Sequence, residues 1–168
     1  MKPFFDALSQ PEYVHVLLNP LPVYGLATGV LGLVLAMALR SRTAQVVALI
    51  IILICAASAW PVYQYGEGAY YRVRAMADAD GVAWLNAHRQ RAETVIGAFY
   101  ALAGVAAVAI AARVRWARLA LPLSATTLLG ALAVLGLGGW IAYAGGKVRH
   151  REFRNESPPV EAVTKGSG

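Results

Sequence analysis

Residues 119–144, LALPLSATTLLGALAVLGLGGWIAYA, decide the fold. They contain no Asp, Glu, Lys, Arg or His, and a helix drawn through them is apolar all round. A helix on a soluble surface keeps a polar face, so one without it belongs in a core or in lipid. The hydrocarbon of a bilayer takes about 20 apolar residues per helix. Three further charge-free stretches of that order come earlier, at 21–39, 44–61 and 95–112. Lipid offers no partner to a bare peptide N–H or C=O, and a helix satisfies both internally. The expectation is an all-α fold, a polytopic integral membrane bundle of four helices.

Composition agrees. The chain has 168 residues, 58% of them hydrophobic and only 14% charged, against about 25% charged in soluble domains. A net charge of +6 would suggest nucleic acid in a soluble protein. Here the cations flank the spans, where Lys and Arg meet lipid headgroups, and no nucleic-acid motif is present. The single cysteine, Cys55, excludes an intrachain disulfide and reads as a small packing residue inside the second span. Residues 1–13 carry acids and prolines rather than a basic start and short apolar core, so no cleavable signal peptide is expected.

Working outward, the spans are placed at about 20–39, 44–62, 94–112 and 119–144. Residues 1–14 read as an irregular or surface-lying leader, with Phe4, Phe5 and Leu8 dipping into the interface. The four-helix domain covers 15–146, with Pro20 and Pro22 in a first turn or a kink. The turns Arg40-Ser41-Arg42 and Arg113-Val114-Arg115 are so short that the spans pair as two antiparallel hairpins. Trp60-Pro61 is expected to end helix two. Trp60, Tyr63, Tyr65, Tyr70 and Tyr71 then form an interfacial aromatic belt. Residues 76–93 lie along the surface or extend helix three, and Gly145-Gly146 stops helix four. The tail, 147–168, begins basic and is expected to be mobile at its end. Gly25, Gly29 and Gly32, then Gly97, Ala101 and Gly104, and finally Gly130 are candidate close-packing positions.

One regularity goes beyond hydropathy. His15 precedes Arg40 by 25 residues and His88 precedes Arg113 by the same 25, while Arg42 and Arg115 keep the constant offset of 73. Both histidines therefore stand before spans of equal direction and length, at similar depth on one membrane face. His150, just beyond helix four, falls on that face as well. The stripe Trp84, His88, Arg91 and Val95 has helical spacing, which can turn His88 toward the bundle. Orientation receives opposing indications. Nine Lys and Arg near the histidine face (Lys165 left out) exceed the five of the turns, yet the turns are the denser in arginine.

With no Asp, Glu, Lys, Arg or His inside the spans, a pump, ion carrier or voltage sensor is disfavoured, since each places charge within the bilayer. No hydrolytic or phosphate-binding motif is present, and no catalytic activity of the chain's own is expected. Ser58, Thr94, Ser124 and Thr126 are expected to bond to backbone or across helices. The remaining chemistry is imidazole. Histidine is the commonest ligand of transition metals and an axial ligand of haem iron. His15 and His88 are the candidate ligands of a haem b. Together with His150 and Glu67 they are alternatively a metal site. Lys147, Arg149, Arg151 and Arg154 surround His150 and suit anionic headgroups.

Three stretches, His15-Val-Leu-Leu-Asn-Pro-Leu-Pro, Leu85-Asn-Ala-His88-Arg and Gly145-Gly-Lys-Val-Arg-His150, carry a resemblance. Over about residues 13–153 the chain resembles a bacterial family of four-helix membrane proteins known only as a domain of unknown function. There helix one opens with a His-Pro-x-x-x-His-Phe-Pro-like signature, helix three opens with a histidine, and helix four ends in glycines followed by a histidine. The chain departs from it at Asn19 and Pro20, where the family often has a second histidine. The resemblance implies a bacterial inner-membrane protein associated with redox systems, with other membrane proteins or a second copy as partners. The alternative reading is a non-catalytic structural or assembly subunit of a larger membrane complex.

Overall fold

The computed structural model describes residues 2–159. They form α1 (Lys2–Leu8), α2 (Pro11–Leu18), a π-helical turn (Leu21–Gly25), α3 (Leu26–Ala38), α4 (Arg42–Ala57), α5 (Ala59–Met76), α6 (Ala79–Arg115) and α7 (Ala120–Arg149). Short 3-10 turns lie at Ala117–Leu119 and Arg151–Phe153. Four assemblies of these elements are long and apolar enough to cross a membrane: Pro11–Ala38, Arg42–Met76, Ala79–Arg115 and Ala117–Arg149. The chain is an all-α, multi-pass bundle of two hairpins.

The turns close as their residues dictate. Arg40 adopts a left-handed φ of 51°, and Ser41 caps α4 by accepting from the Ala44 N–H at 3.3 Å. In the first span, Pro20 and Pro22 lack the N–H groups that regular i→i−4 bonds would use. The ladder widens there into the π turn, with the Gly25 N–H reaching the Pro20 carbonyl at 3.3 Å.

The principal core lies within the membrane-spanning part and joins Leu26, Val30, Leu33, Leu49, Ile52, Cys55, Phe99, Leu102, Ala106 and Val134. Leu31, Leu35, Val47, Ile54, Leu129 and Leu132 point outward and are exposed. Such an apolar belt around a protein requires lipid rather than water as its solvent. A smaller core of Trp84, Leu85, Ala87, Ala144 and Val148 stands above it. The helices thus outrun the bilayer on one side: at 1.5 Å per residue, 35 helical residues (Arg42–Met76) span about 52 Å, against about 30 Å of hydrocarbon.

Four expectations are revised or narrowed. Of the two forms expected for the leader, the irregular one gives way to helix over 2–8 and 11–14, and α2 packs along α5. Near Trp60-Pro61 α4 does end, at Ala57, but a new helix starts at once: α5 begins at Ala59 with Pro61 in its first turn, where a missing N–H costs nothing. Gly145-Gly146 does not stop helix four, which runs on to Arg149; Gly145 is wanted there for space. Gly97 and Gly104 have no neighbour within 4 Å of an added Cβ, so that stripe faces outward. Gly25 and Gly29 do mark a close approach, since a Cβ there would meet Cys55 Sγ at 2.6 Å and Ile52 Cγ1 at 2.8 Å. From Ala79 on, the segment 76–93 takes the second of its two expected forms, as a continuation of helix three; Met76 closes α5 and Asp78 caps α6. The expected mobile end of the tail, 160–168, lies outside the described residues.

At the turn end one polar chain joins all four spans. The Gln45 amide donates to the Ala36 carbonyl at 3.3 Å, and Arg113 donates to Gln45 Oε1 and, at 2.7 Å, to Ser124 Oγ. Ala36, Gln45, Arg113 and Ser124 belong to spans one to four in order.

Candidate functional site: a histidine pair at the membrane surface

Each histidine precedes the arginine of its own turn by 25 residues, which at an α-helical rise is about 37 Å. That carries the rings past about 30 Å of hydrocarbon and into the headgroup layer, which brings the total to about 40–45 Å. There the two hairpins bring His15 of α2 and His88 of α6 together, ring centroids 6.2 Å apart and planes at 88°.

Each ring is held in the same way. His15 Nδ1 lies 2.8 Å from the Val62 carbonyl on α5, and His88 Nδ1 lies 3.0 Å from the Ile141 carbonyl on α7. A carbonyl oxygen can only accept, so each Nδ1 carries the hydrogen and donates. A neutral imidazole in that tautomer leaves Nε2 with a free lone pair. Four residues past each carbonyl stands a glycine. A Cβ on Gly66 would meet His15 Nδ1 and Cε1 at 3.0 Å, and one on Gly145 would meet His88 Nδ1 at 2.9 Å. The missing side chain lets the ring lie against the partner helix and reach a carbonyl that already serves the helix, using its second lone pair.

The rings share a cavity of about 530 Å³ with Tyr63, Glu67, Tyr70, Arg89 and Arg149. It reaches down to Pro22, Phe99 and Gly138 and up to Val73 and Met76. Its volume falls in the range of about 300–1,000 Å³ typical of ligand sites, and its walls are mainly apolar with few polar groups, as such sites are.

The other expected ligands do not join the pair. Glu67 lines the cavity but holds Arg89 through two bonds, Nε to Oε1 at 2.8 Å and Nη2 to Oε2 at 2.6 Å. Arg89 also meets Glu93 at 3.1 Å and lies over the Tyr70 ring. His150 is exposed, 2.9 Å from Glu152 and stacked on Phe153. Among the described residues no group of three or more His, Cys, Asp or Glu is placed to hold a metal ion. Of the four expected ligands only His15 and His88 come together, because Arg89 holds Glu67 and α7 ends in a turn that carries His150 outward.

The expected headgroup cluster is likewise occupied within the chain. Lys147 is only 3% exposed, caged over Trp84 and Tyr143 and bonded to Glu156 at 2.9 Å. Arg154 reaches Asp78 and the Lys147 and Val148 carbonyls, and Arg151 meets Asp78 at 2.9 Å. These residues fasten the tail over the upper core, while Arg149 stays exposed. Three of the four hydroxyls behave as expected: Ser58 bonds to the Cys55 carbonyl, Thr94 to that of Gln90 and Ser124 to that of Ala120.

Val62, Gly66 and Ile141 escaped the sequence reading, and Gly145 entered it only as a helix stop, although a signal exists. An aliphatic residue followed by a glycine four positions on recurs after each returning span, at an offset of 79. It differs from 73 because the second turn carries extra residues, including the 3-10 turn Ala117–Leu119. Comparison with family models, with curated proteins and with solved structures gave no match.

Proposed function

We propose that this protein is a small membrane subunit of a redox system that holds haem b between His15 and His88 at one membrane surface. The observation that supports this reading is the paired imidazole geometry. Both rings use Nδ1 on a backbone carbonyl, the outer-shell bond that fixes the tautomer and orientation of metal-bound histidine and raises its basicity. The two rings stand 6.2 Å apart and line one cavity, so both imidazoles could serve a single group held there. A two-histidine donor set suits haem better than a bare transition metal, since the macrocycle supplies the other ligands. When bound, haem supplies one-electron transfer. His15 and His88 would ligate it, the apolar walls would exclude water, and the carbonyls of Val62 and Ile141 would keep both rings in register. The bacterial inner membrane and a larger redox complex, or a second copy, are the setting and partners that the family resemblance suggests.

The protein purified in detergent should show a Soret band with about one haem per chain, abolished in His15→Ala and His88→Ala. Purified protein with neither a Soret band nor stoichiometric metal sinks the proposal. If partners also co-purify unchanged with both variants, the chain is a structural or assembly subunit.

A further inference from the structure

We infer that the arginine turns dock on the anionic headgroups of the cytoplasmic leaflet, so that the histidine cavity opens on the opposite side of the membrane. The inference rests on charge placement and on no cofactor. Among the described residues all eight acids lie on the histidine side, together with nine cations, whereas the turn side has Arg40, Arg42, Arg113, Arg115 and Arg118 and no acid.

The structure shows what those acids do. Arg72 meets Glu12 at 2.9 Å, Arg89 meets Glu67 at 2.6 Å, Lys147 meets Glu156 at 2.9 Å, and Arg151 and Arg154 share Asp78. The greater number of cations on that side is thus largely spent inside the protein. On the turn side Arg40, Arg42, Arg115 and Arg118 are exposed. Arg113 finds only the neutral Gln45 and Ser124, with Arg42 near enough for the two like charges to interact. Val114, Trp116 and Leu119 stand exposed among these arginines. Basic and aromatic residues interleaved at a span end match a headgroup layer, with phosphate for the guanidinium and the acyl boundary for the ring.

Insertion points the same way. The first span usually dominates topology, and cations gather on its cytoplasmic flank. Before it stand Lys2, Asp6 and Glu12; immediately after it stand Arg40 and Arg42 without an acid.

The test uses the full chain in the inner membrane of a bacterial host, in a Cys55→Ala background. Single cysteines are placed on the turn side (Thr43→Cys, Ala117→Cys) and on the histidine side (Tyr71→Cys, Ser157→Cys), all at exposed positions. A membrane-impermeant maleimide should label the two histidine-side cysteines in intact cells. The turn-side pair should react only after permeabilisation. The reverse pattern, or equal labelling of both pairs in intact cells, overturns the inference. Duplicate positions on each face keep it falsifiable if one variant fails to accumulate. Haem content has no bearing on the readout, so this orientation and the cofactor proposal fail separately.

Discussion

At the scale of single residues, the site depends on two atoms that are absent. Gly66 and Gly145 carry no Cβ, and that gap seats each imidazole on its carbonyl. Gly66→Ala or Gly145→Ala inserts a methyl at 2.9–3.0 Å from a ring, tighter than ordinary contact, and overpacking of this kind costs about 1–3 kcal/mol. Both variants should insert in the membrane yet bind haem at least tenfold more weakly, read by titrating haem into the apo-protein. The two substitutions should behave alike, since the halves are built alike. Val62 and Ile141 themselves act through backbone oxygens, so Val62→Leu should leave the spectrum unchanged. Periodicity does not reveal this layer of the site. A carbonyl acceptor has no residue signature, and a glycine in a membrane helix is too common to single out alone.

At the scale of elements, what matters is which face each helix turns inward. The Gly25–Gly29 side of the first span lies against Cys55 and Ile52, whereas Gly97 and Gly104 of α6 face outward. Gly29→Leu should therefore destabilise the detergent-solubilised protein markedly, and Gly104→Leu should change its thermal midpoint little. Both stripes look equivalent in the sequence, because small-residue spacing marks where a helix can approach another and not which neighbour is there. The tail is a second element-scale case. Asp78 caps α6 by accepting from the Gly81 N–H and receives Arg154 and Arg151. The Arg154 hydrogen bonds, helped by that N–H, lower its pKa from 3.8 to about 2. A depressed carboxylate contributes in full above its ordinary value and loses its contribution as pH falls through the folded one. Proteolysis of the tail should thus stay slow at neutral pH and accelerate as the pH drops from about 4 towards 2. Asp78→Asn should bring fast cleavage to neutral pH, with acid-stable protease digestion and mass spectrometry as the readout.

At the scale of the whole molecule, the bundle is closed at both ends by different means. On the histidine side the upper core and the tail's ion pairs hold the helices where they leave the membrane. On the turn side the chain Ala36–Gln45–Arg113–Ser124 ties all four spans. Arg113→Ala leaves the Gln45 oxygen and Ser124 without this donor, and an unmet buried polar group costs about 1–3 kcal/mol. Its expected result is a lower thermal midpoint with an unchanged haem spectrum, since the clasp lies a bilayer's thickness from the cavity. A spectrum altered as much as the midpoint would show that the two ends are coupled.

The sequence by itself determined the four spans, their pairing in hairpins and the placing of His15 and His88 at one depth. Each follows from counting along a helix of fixed rise between charged turns that cannot enter lipid. The start of α5 directly after α4, helix continuity past Gly145, the outward turn of His150 and the capture of Glu67 by Arg89 were decided only in three dimensions. A glycine beside a ring is a breaker in a one-dimensional reading, and its neighbour across the bundle reverses that meaning. Proximity in depth was legible because rise is constant. Proximity across the bundle was not, because it depends on which side chains the partner helices leave out.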